Sequence, residues 1–197
     1  MAQVLVHRTN QRQIAFRNVH VLNAALVVGA SLLMAICAHV SIPLWFTPVP
    51  ITLQTFGVML LALTIGGWRA SAALLLYLLE GLSGLPVFSP SGPGGIAQIL
   101  GPTGGFLLSY PLAALAGGLL ARRLLRRTQP AVSLASGALV CDAIVFGAGA
   151  LWLLLLTHQS VMAIMTAAVL PFLPGEVLKG AAAVGAALAR NARVARS

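Results

Sequence analysis

From residue 81 to residue 121 the chain carries no Asp, Glu, Lys or Arg, although residues 82–110, LSGLPVFSPSGPGGIAQILGPTGGFLLSY, are dense in Gly and Pro. A soluble loop of that kind would hold charge to keep it in water. Irregular backbone that stays apolar belongs at membrane depth, where it is tolerated only if protein buries it or it lines a cavity, because lipid cannot satisfy its N–H and C=O groups. The segment therefore predicts a pocket, with the remaining chain as its scaffold. Composition agrees: the 197 residues are 59% hydrophobic and 8% charged, with a mean hydropathy of +0.96, outside the range of soluble domains. The net charge of +9 sits at the ends of apolar stretches, not in one stripe interleaved with aromatics. It reads as a topology signal and not as a nucleic-acid surface. Cys37, Cys141 and the 4 histidines are scattered without ligand spacing, so no metal site is expected.

Six apolar stretches, at residues 22–42, 51–65, 70–85, 104–121, 131–157 and 174–190, read as membrane helices. The first follows Arg8, Arg12 and Arg17 in the manner of a signal peptide, but it is too long for one and further spans follow. Residues 1–20 are expected to be a cytoplasmic N-terminal tail, 21–192 the six-helix membrane domain, and 193–197 a cytoplasmic C-terminal tail. SIPLWFTPVP at 41–50 reads as an interfacial loop. In 158–173, Val161, Ile164, Met165 and Val169 recur at helical spacing, which predicts a short interfacial helix. With both termini inside, every arginine falls inside: Arg8, Arg12 and Arg17, then Arg69, then the RRLLRR run from Arg122 to Arg127, then Arg190, Arg193 and Arg196. The expected fold is an all-α integral protein of the cytoplasmic membrane, with six transmembrane helices, N-in/C-in, and irregular Gly/Pro-rich outer loops.

That orientation gathers His39, Thr52, Gln54, Thr55, Tyr77, Glu80, Thr103, Tyr110, Glu176 and Lys179 in the outer leaflet, from five helices, and leaves the inner half almost without polar side chains. Ionisable groups inside a membrane protein mark a functional cavity. Lys179, the lone lysine, has Glu176 three residues before it on the same helical face, near the helix N-terminus. A satisfied intrahelical ion pair is the plain alternative. Against it, a buried pair seldom adds net stability, and Glu80 supplies a second carboxylate at similar depth. A lysine there can take a ligand carboxylate or carbonyl oxygen, and Glu80 joins the ligand-facing set. Asp142 could couple helices or carry a proton, but it lies deeper than the cluster, and bonding to neighbouring backbone is the favoured reading. On the first span Ala25/Gly29 and Ser31/Ala35 form two small-xxx-small pairs, suited to a partner helix or to packing within the bundle. GPTGG at 101–105 lacks the lysine of a phosphate-binding loop, and no hydrolase motif is present.

Four blocks, TPVPITLQTFGVML (47–60), LLYLLEGLSGLPVF (75–88), GGIAQILGPTGGFLLSYPLAA (94–114) and PFLPGEVLKG (171–180), resemble the signature blocks of the BioY family, the biotin-specific S components of energy-coupling factor transporters. The resemblance implies a six-helix membrane protein that captures biotin on the extracellular side and is not an enzyme. It also implies a transmembrane T component and two ATPases as partners, which would use ATP where this chain has no cofactor. Gln54 would then offer its amide to biotin, Phe88 and Tyr110 would pack on the bicyclic ring, and Gly104 would permit close approach. Lys179 matches the family, whereas Glu176 stands where Asp is more usual. Ala25, Gly29, Ser31 and Ala35 would supply the small-residue face that packs on the T component. The two outer loops are expected to close over biotin, with Glu176, Lys179 and Gln54 orienting it. Other readings are a stand-alone secondary transporter, though no inverted repeat is evident, an S component for another vitamin, and a membrane enzyme, for which no nucleophile arrangement exists. Action alone, as a homo-oligomer or only with partners stays open.

Overall fold

The computed structural model describes residues 2–196, with side chains from His20 onward. Among the described residues there are eight helices and one two-residue ladder, in the order α1 (Ala2–His39), β1 (Ser41–Ile42), β2 (Ile51–Thr52), α2 (Gln54–Thr64), α3 (Gly67–Leu82), α4 (Gly95–Leu100), α5 (Gly104–Leu124), α6 (Pro130–Thr157), α7 (Val161–Ala168) and α8 (Leu173–Val194). Local chemistry sets several boundaries. Pro130 opens α6, where its missing N–H has no partner to lose. The helix closes at His158, whose left-handed backbone (φ 54°) turns its N–H onto the Leu154 carbonyl at 3.0 Å. Ser160 Oγ then caps α7 by accepting from the Ala163 N–H at 3.3 Å. α8 follows at a bend of 53°.

α5 lies at the centre, packed on α3 and most extensively on α6, while α1 covers α3 and α2 is held between α8, α5 and α6. Small residues make this possible. A Cβ on Gly117 would stand 2.5 Å from the Gly137 carbonyl oxygen, and one on Gly137 would stand 2.7 Å from that of Gly117. The α5 and α6 backbones therefore touch, as helices do where dispersion and not water exclusion drives association. Met34, Val58, Met59, Leu74, Tyr77, Leu107, Leu134 and Val145 fill the interior. By contrast Leu139, Leu155, Val177 and Leu178 point outward on α6 and α8, the surface that a lipid solvent requires.

Three helices, His20–His39, Gly104–Leu124 and Pro130–Thr157, are long and apolar enough to cross a membrane, and a fourth is added if α7 and α8 form one broken span. α2, with 11 residues, covers only about 16 Å at 1.5 Å per residue. Several expectations are revised. The Gly/Pro segment is not wholly irregular, because α4 forms within it. Residues 51 and 52 do not begin the second helix; they pair with Ile42 and Ser41 and close the 41–50 loop at its base. α1 also continues beyond the first apolar stretch, its helical backbone reaching back to Ala2.

Candidate functional site

A cavity lies between α2, α4, α5, α6 and α8, lined by Gln54, Thr55, Gln98, Tyr110, Glu176 and Lys179 on its polar side and by Phe106, Phe146 and Phe172 on its apolar side. The α2 N-terminus presents Gln54 and Thr55 because the β1–β2 ladder turns the chain there. Gln54 Nε2 donates to Tyr77 Oη at 2.9 Å, a buried bond that fixes the amide against α3. Lys179 Nζ donates to Glu176 Oε1 at 2.7 Å and to Thr55 Oγ1 at 3.1 Å, and so links α8 to α2. Glu176 is 4% exposed, and its second oxygen, Oε2, has no hydrogen-bond partner. A buried charge with an unused acceptor is costly unless paired, so this site has unspent bonding capacity.

The apolar side is a run of aromatic edges and faces. Phe106 meets Phe146 at 6.0 Å and 88°, and Phe146 meets Phe172 at 6.2 Å and 50°. The combination of a few placed polar groups with an aromatic wall is that of a small-molecule site. Its volume is about 40 Å³, room for one or two waters. A cleft of about 210 Å³ lies next to it between the 41–50 loop and the Gly/Pro segment, lined by Pro48, Pro50, Ser91, Gly92, Gln98 and Thr103 among others. Pro50, Gln98 and Thr103 line both spaces. Ser41 Oγ and Ser91 Oγ, one from each loop, lie 2.9 Å apart.

Gln54, Tyr110, Glu176 and Lys179 thus line one cavity. Phe88, Gly104 and Glu80 do not line the cavity. Phe88 is buried one layer behind, edge-on to Tyr77 at 5.3 Å and seated over Gly81, where a Cβ would overlap its ring. Gly104 is needed for the chain's own approach: a Cβ there would overlap the Ile99 carbonyl at the turn from α4 into α5. The neighbouring Gly101 carbonyl accepts from Trp152 Nε1 at 2.9 Å, which pins this turn to α6. Glu80 turns toward α1, where its Oε2 accepts from Ser31 Oγ. Ser31 is consequently 0% exposed and inside the bundle, not on a partner face. Ala35 is half-buried against the core, whereas Ala25 and Gly29 are exposed. Asp142 has no backbone partner of the kind expected for it: its Oδ1 is buried and unpaired.

Sequence reasoning missed Gln98, the one polar side chain of α4. Its Oε1 accepts from the Gly94 N–H at 3.1 Å and its Nε2 donates to Thr103 Oγ1 at 3.4 Å, so it ties the Gly/Pro segment to the start of α5. The signal available was a lone glutamine within the charge-free stretch. Phe106, Phe146 and Phe172 were also missed, since aromatics in apolar helices carry no distinguishing pattern.

The family model described as BioY family matches residues 9–196. "Biotin transporter BioY" of Rhodobacter capsulatus is 37% identical over 159 residues, which cover 76% of this chain and 82% of that protein. The protein of the same description from Rhizobium etli is 35% identical over 176 residues, 87% of this chain and 89% of that one. Among solved structures, the S-component for biotin from an ECF-type ABC transporter superposes with a TM-score of 0.79 and 26% identity, covering 89% of this chain and 93% of the other.

Proposed function

Because the chain belongs to the BioY family, we propose that it takes up biotin, acting as the substrate-capturing S component of an energy-coupling factor transporter. Membership makes it a membrane transporter and not an enzyme. The observation that carries the capture reading is the buried Lys179–Glu176–Thr55 cluster at one wall of an otherwise aromatic cavity. Biotin combines a carboxylate, an apolar bicyclic ring and a polar ureido head, and the cavity offers a partner for each. Lys179 takes the carboxylate, the Phe106–Phe146–Phe172 wall and Tyr110 take the ring, and Gln54 and Gln98 supply amides. At about 40 Å³ the cavity is smaller than such a ligand, so capture requires the 41–50 loop and the Gly/Pro segment to part and close again.

In this reading α1, α2, α3, α5, α6 and α8 are six spans, with both termini in the cytoplasm. Contacts at one end of the bundle support it. The start of α3 meets α5 beside Leu115 and Leu119, and Arg190 shares a groove with Thr64 and Ile65 at the end of α2. Arg69, the 122–127 run and the C-terminal arginines then lie on one side. Residues 1–20 and 193–197 flank the membrane domain on that side. The exposed Ala25–Gly29 face, beside the same groove, suits a T component, with paired ATPases supplying the energy. The test is equilibrium binding of biotin to the purified protein in detergent, wild type beside Lys179→Ala. Loss of one charge-assisted bond, about 1.5–3 kcal/mol, corresponds to binding roughly 10- to 150-fold weaker. Unchanged binding in the mutant would remove Lys179 from the site. No binding by folded wild type would undo the assignment to biotin.

A further inference from the structure

Behind the aromatic wall lies a second space, a lateral groove of about 590 Å³ between α6 and α8. Phe146 and Glu176 belong to both spaces and so form the partition between them. The groove is otherwise lined by Ala, Leu, Val and Gly, and by a single further polar side chain, Asp142. Among the described residues, the buried side-chain oxygens and nitrogens without a partner are Asp142 Oδ1 and Glu176 Oε2. Both sit on this one groove. Two carboxyl groups facing the same apolar space, each with an unused acceptor, lack one thing that would satisfy both: a hydrogen between them.

A metal ion fits poorly, because no other side chain of the lining carries an oxygen and hard cations need about six oxygen ligands. A proton needs only two. Paired carboxyls in a low-dielectric setting share one readily, since neither group is easily charged beside the other. We propose that Asp142 and Glu176 form a proton-binding pair, and that capture of a carboxylate ligand by Lys179 carries a proton into it.

The inference rests on the capture reading above, and its balance is explicit. Without ligand, Lys179 neutralises Glu176 at 2.7 Å. A ligand carboxylate that draws Lys179 away adds one negative charge and leaves Glu176 Oε1 bare as well. A proton from water then binds the pair as a single O–H···O bridge, one carboxyl donating and the other accepting. With Asp142 ionised at the start, the buried cluster carries the same net charge, one negative, before and after. The surroundings agree with a pair that answers to Lys179 alone. α8 contributes Glu176, which lines the same groove as Asp142, and Lys179, which is bonded to Glu176. α5 presents Tyr110 to the adjoining cavity and keeps Arg122 and Arg123 at its far end, while α2 and α7 carry no titratable side chain. Cys141, beside Asp142 on α6, is committed to the Ala113 carbonyl.

The measurement is calorimetric titration of biotin into the purified protein in detergent, in phosphate and in Tris, at several values between about pH 6 and 8.5. Proton uptake makes the apparent enthalpy depend on the ionisation enthalpy of the buffer. Wild type is expected to take up as much as one proton per biotin, and Asp142→Asn to take up less than about a third of that while still binding. The wild-type buffer comparison needs no variant and stands by itself if Asp142→Asn fails to fold. Binding with no buffer dependence across the range, or equal uptake in the variant, would overturn the proton pair and leave capture intact. Affinity that follows sodium concentration at fixed pH would overturn it in favour of a cation. Absence of binding by folded wild type would overturn capture, and the inference with it.

Discussion

The hydroxyls of Ser41 and Ser91 meet at 2.9 Å, joining the start of the short ladder to the middle of the Gly/Pro segment above the cavity. Side chains in contact on two exposed loops need only a small adjustment to reach disulfide geometry. A Ser41→Cys/Ser91→Cys double mutant should therefore cross-link on mild oxidation. Both native cysteines, Cys37 and Cys141, are buried and should stay silent. If the two loops are the gate, cross-linked protein will bind and release biotin at least about 10-fold more slowly, with recovery on reduction. Unaltered exchange in the oxidised form would mean that ligand reaches the cavity by another route.

Glu80 separates structural from ligand-binding carboxylates. Its bond to Ser31 clasps α3 to α1, and loss of such a charged hydrogen bond costs about 1.5–3 kcal/mol. Glu80→Ala should lower the unfolding temperature in detergent and leave biotin affinity within about threefold of wild type. A tenfold or greater loss of affinity in well-folded Glu80→Ala would return the residue to the site.

Tyr77→Phe removes the hydroxyl that holds the Gln54 amide. The buried amide is left with an unmet donor, a penalty of about 1–3 kcal/mol. Reduced thermal stability is expected, together with weaker biotin binding through a loosened Gln54. Weaker binding with unchanged stability would instead point to direct ligand contact by Tyr77.

At the α5–α6 crossing, Gly137→Val should disturb the whole bundle. The added atoms would meet the Gly117 carbonyl and the Ala121 side chain, and such overpacking costs about 1–3 kcal/mol or more. The expected result is a lower melting temperature and poor recovery from the membrane. Gly147→Ala, on the same helix with open space around it, should be neutral and serves as the control.

Much of this fold follows from short-range pattern. Lys179 and Glu176 are three residues apart on a helix, so their pairing was readable from spacing. The small pairs of α1 were half readable. Gly29 and Ser31 are two positions apart, about 200° around a helix at 3.6 residues per turn, so the two pairs had to face opposite ways. What remained hidden was which side faced inward, since that depends on Glu80, 49 residues beyond Ser31. α4 was hidden for another reason. Gly94 and Gly95 adopt positive φ (72° and 55°), and a helix of 6 residues that starts from glycines has no propensity signal strong enough to stand out. Its Gln98 was concealed with it. Phe88 and Gly104 fall within recognisable blocks, but their contacts are with Tyr77, Gly81 and Ile99, neighbours that only the assembled bundle defines.

The direct backbone contacts at Gly67–Gly118 and Gly117–Gly137 lie toward the end of the bundle away from the cavity, where no proline-rich loops intervene. Close-packed backbone compresses little and passes strain onward. Backbone also meets backbone at the cavity end, where Gly104 lies against the Ile99 carbonyl and Gly105 against the Ala148 carbonyl. Close contact therefore runs along the α5–α6 pair, so a displacement imposed at either end is expected to carry these two helices together.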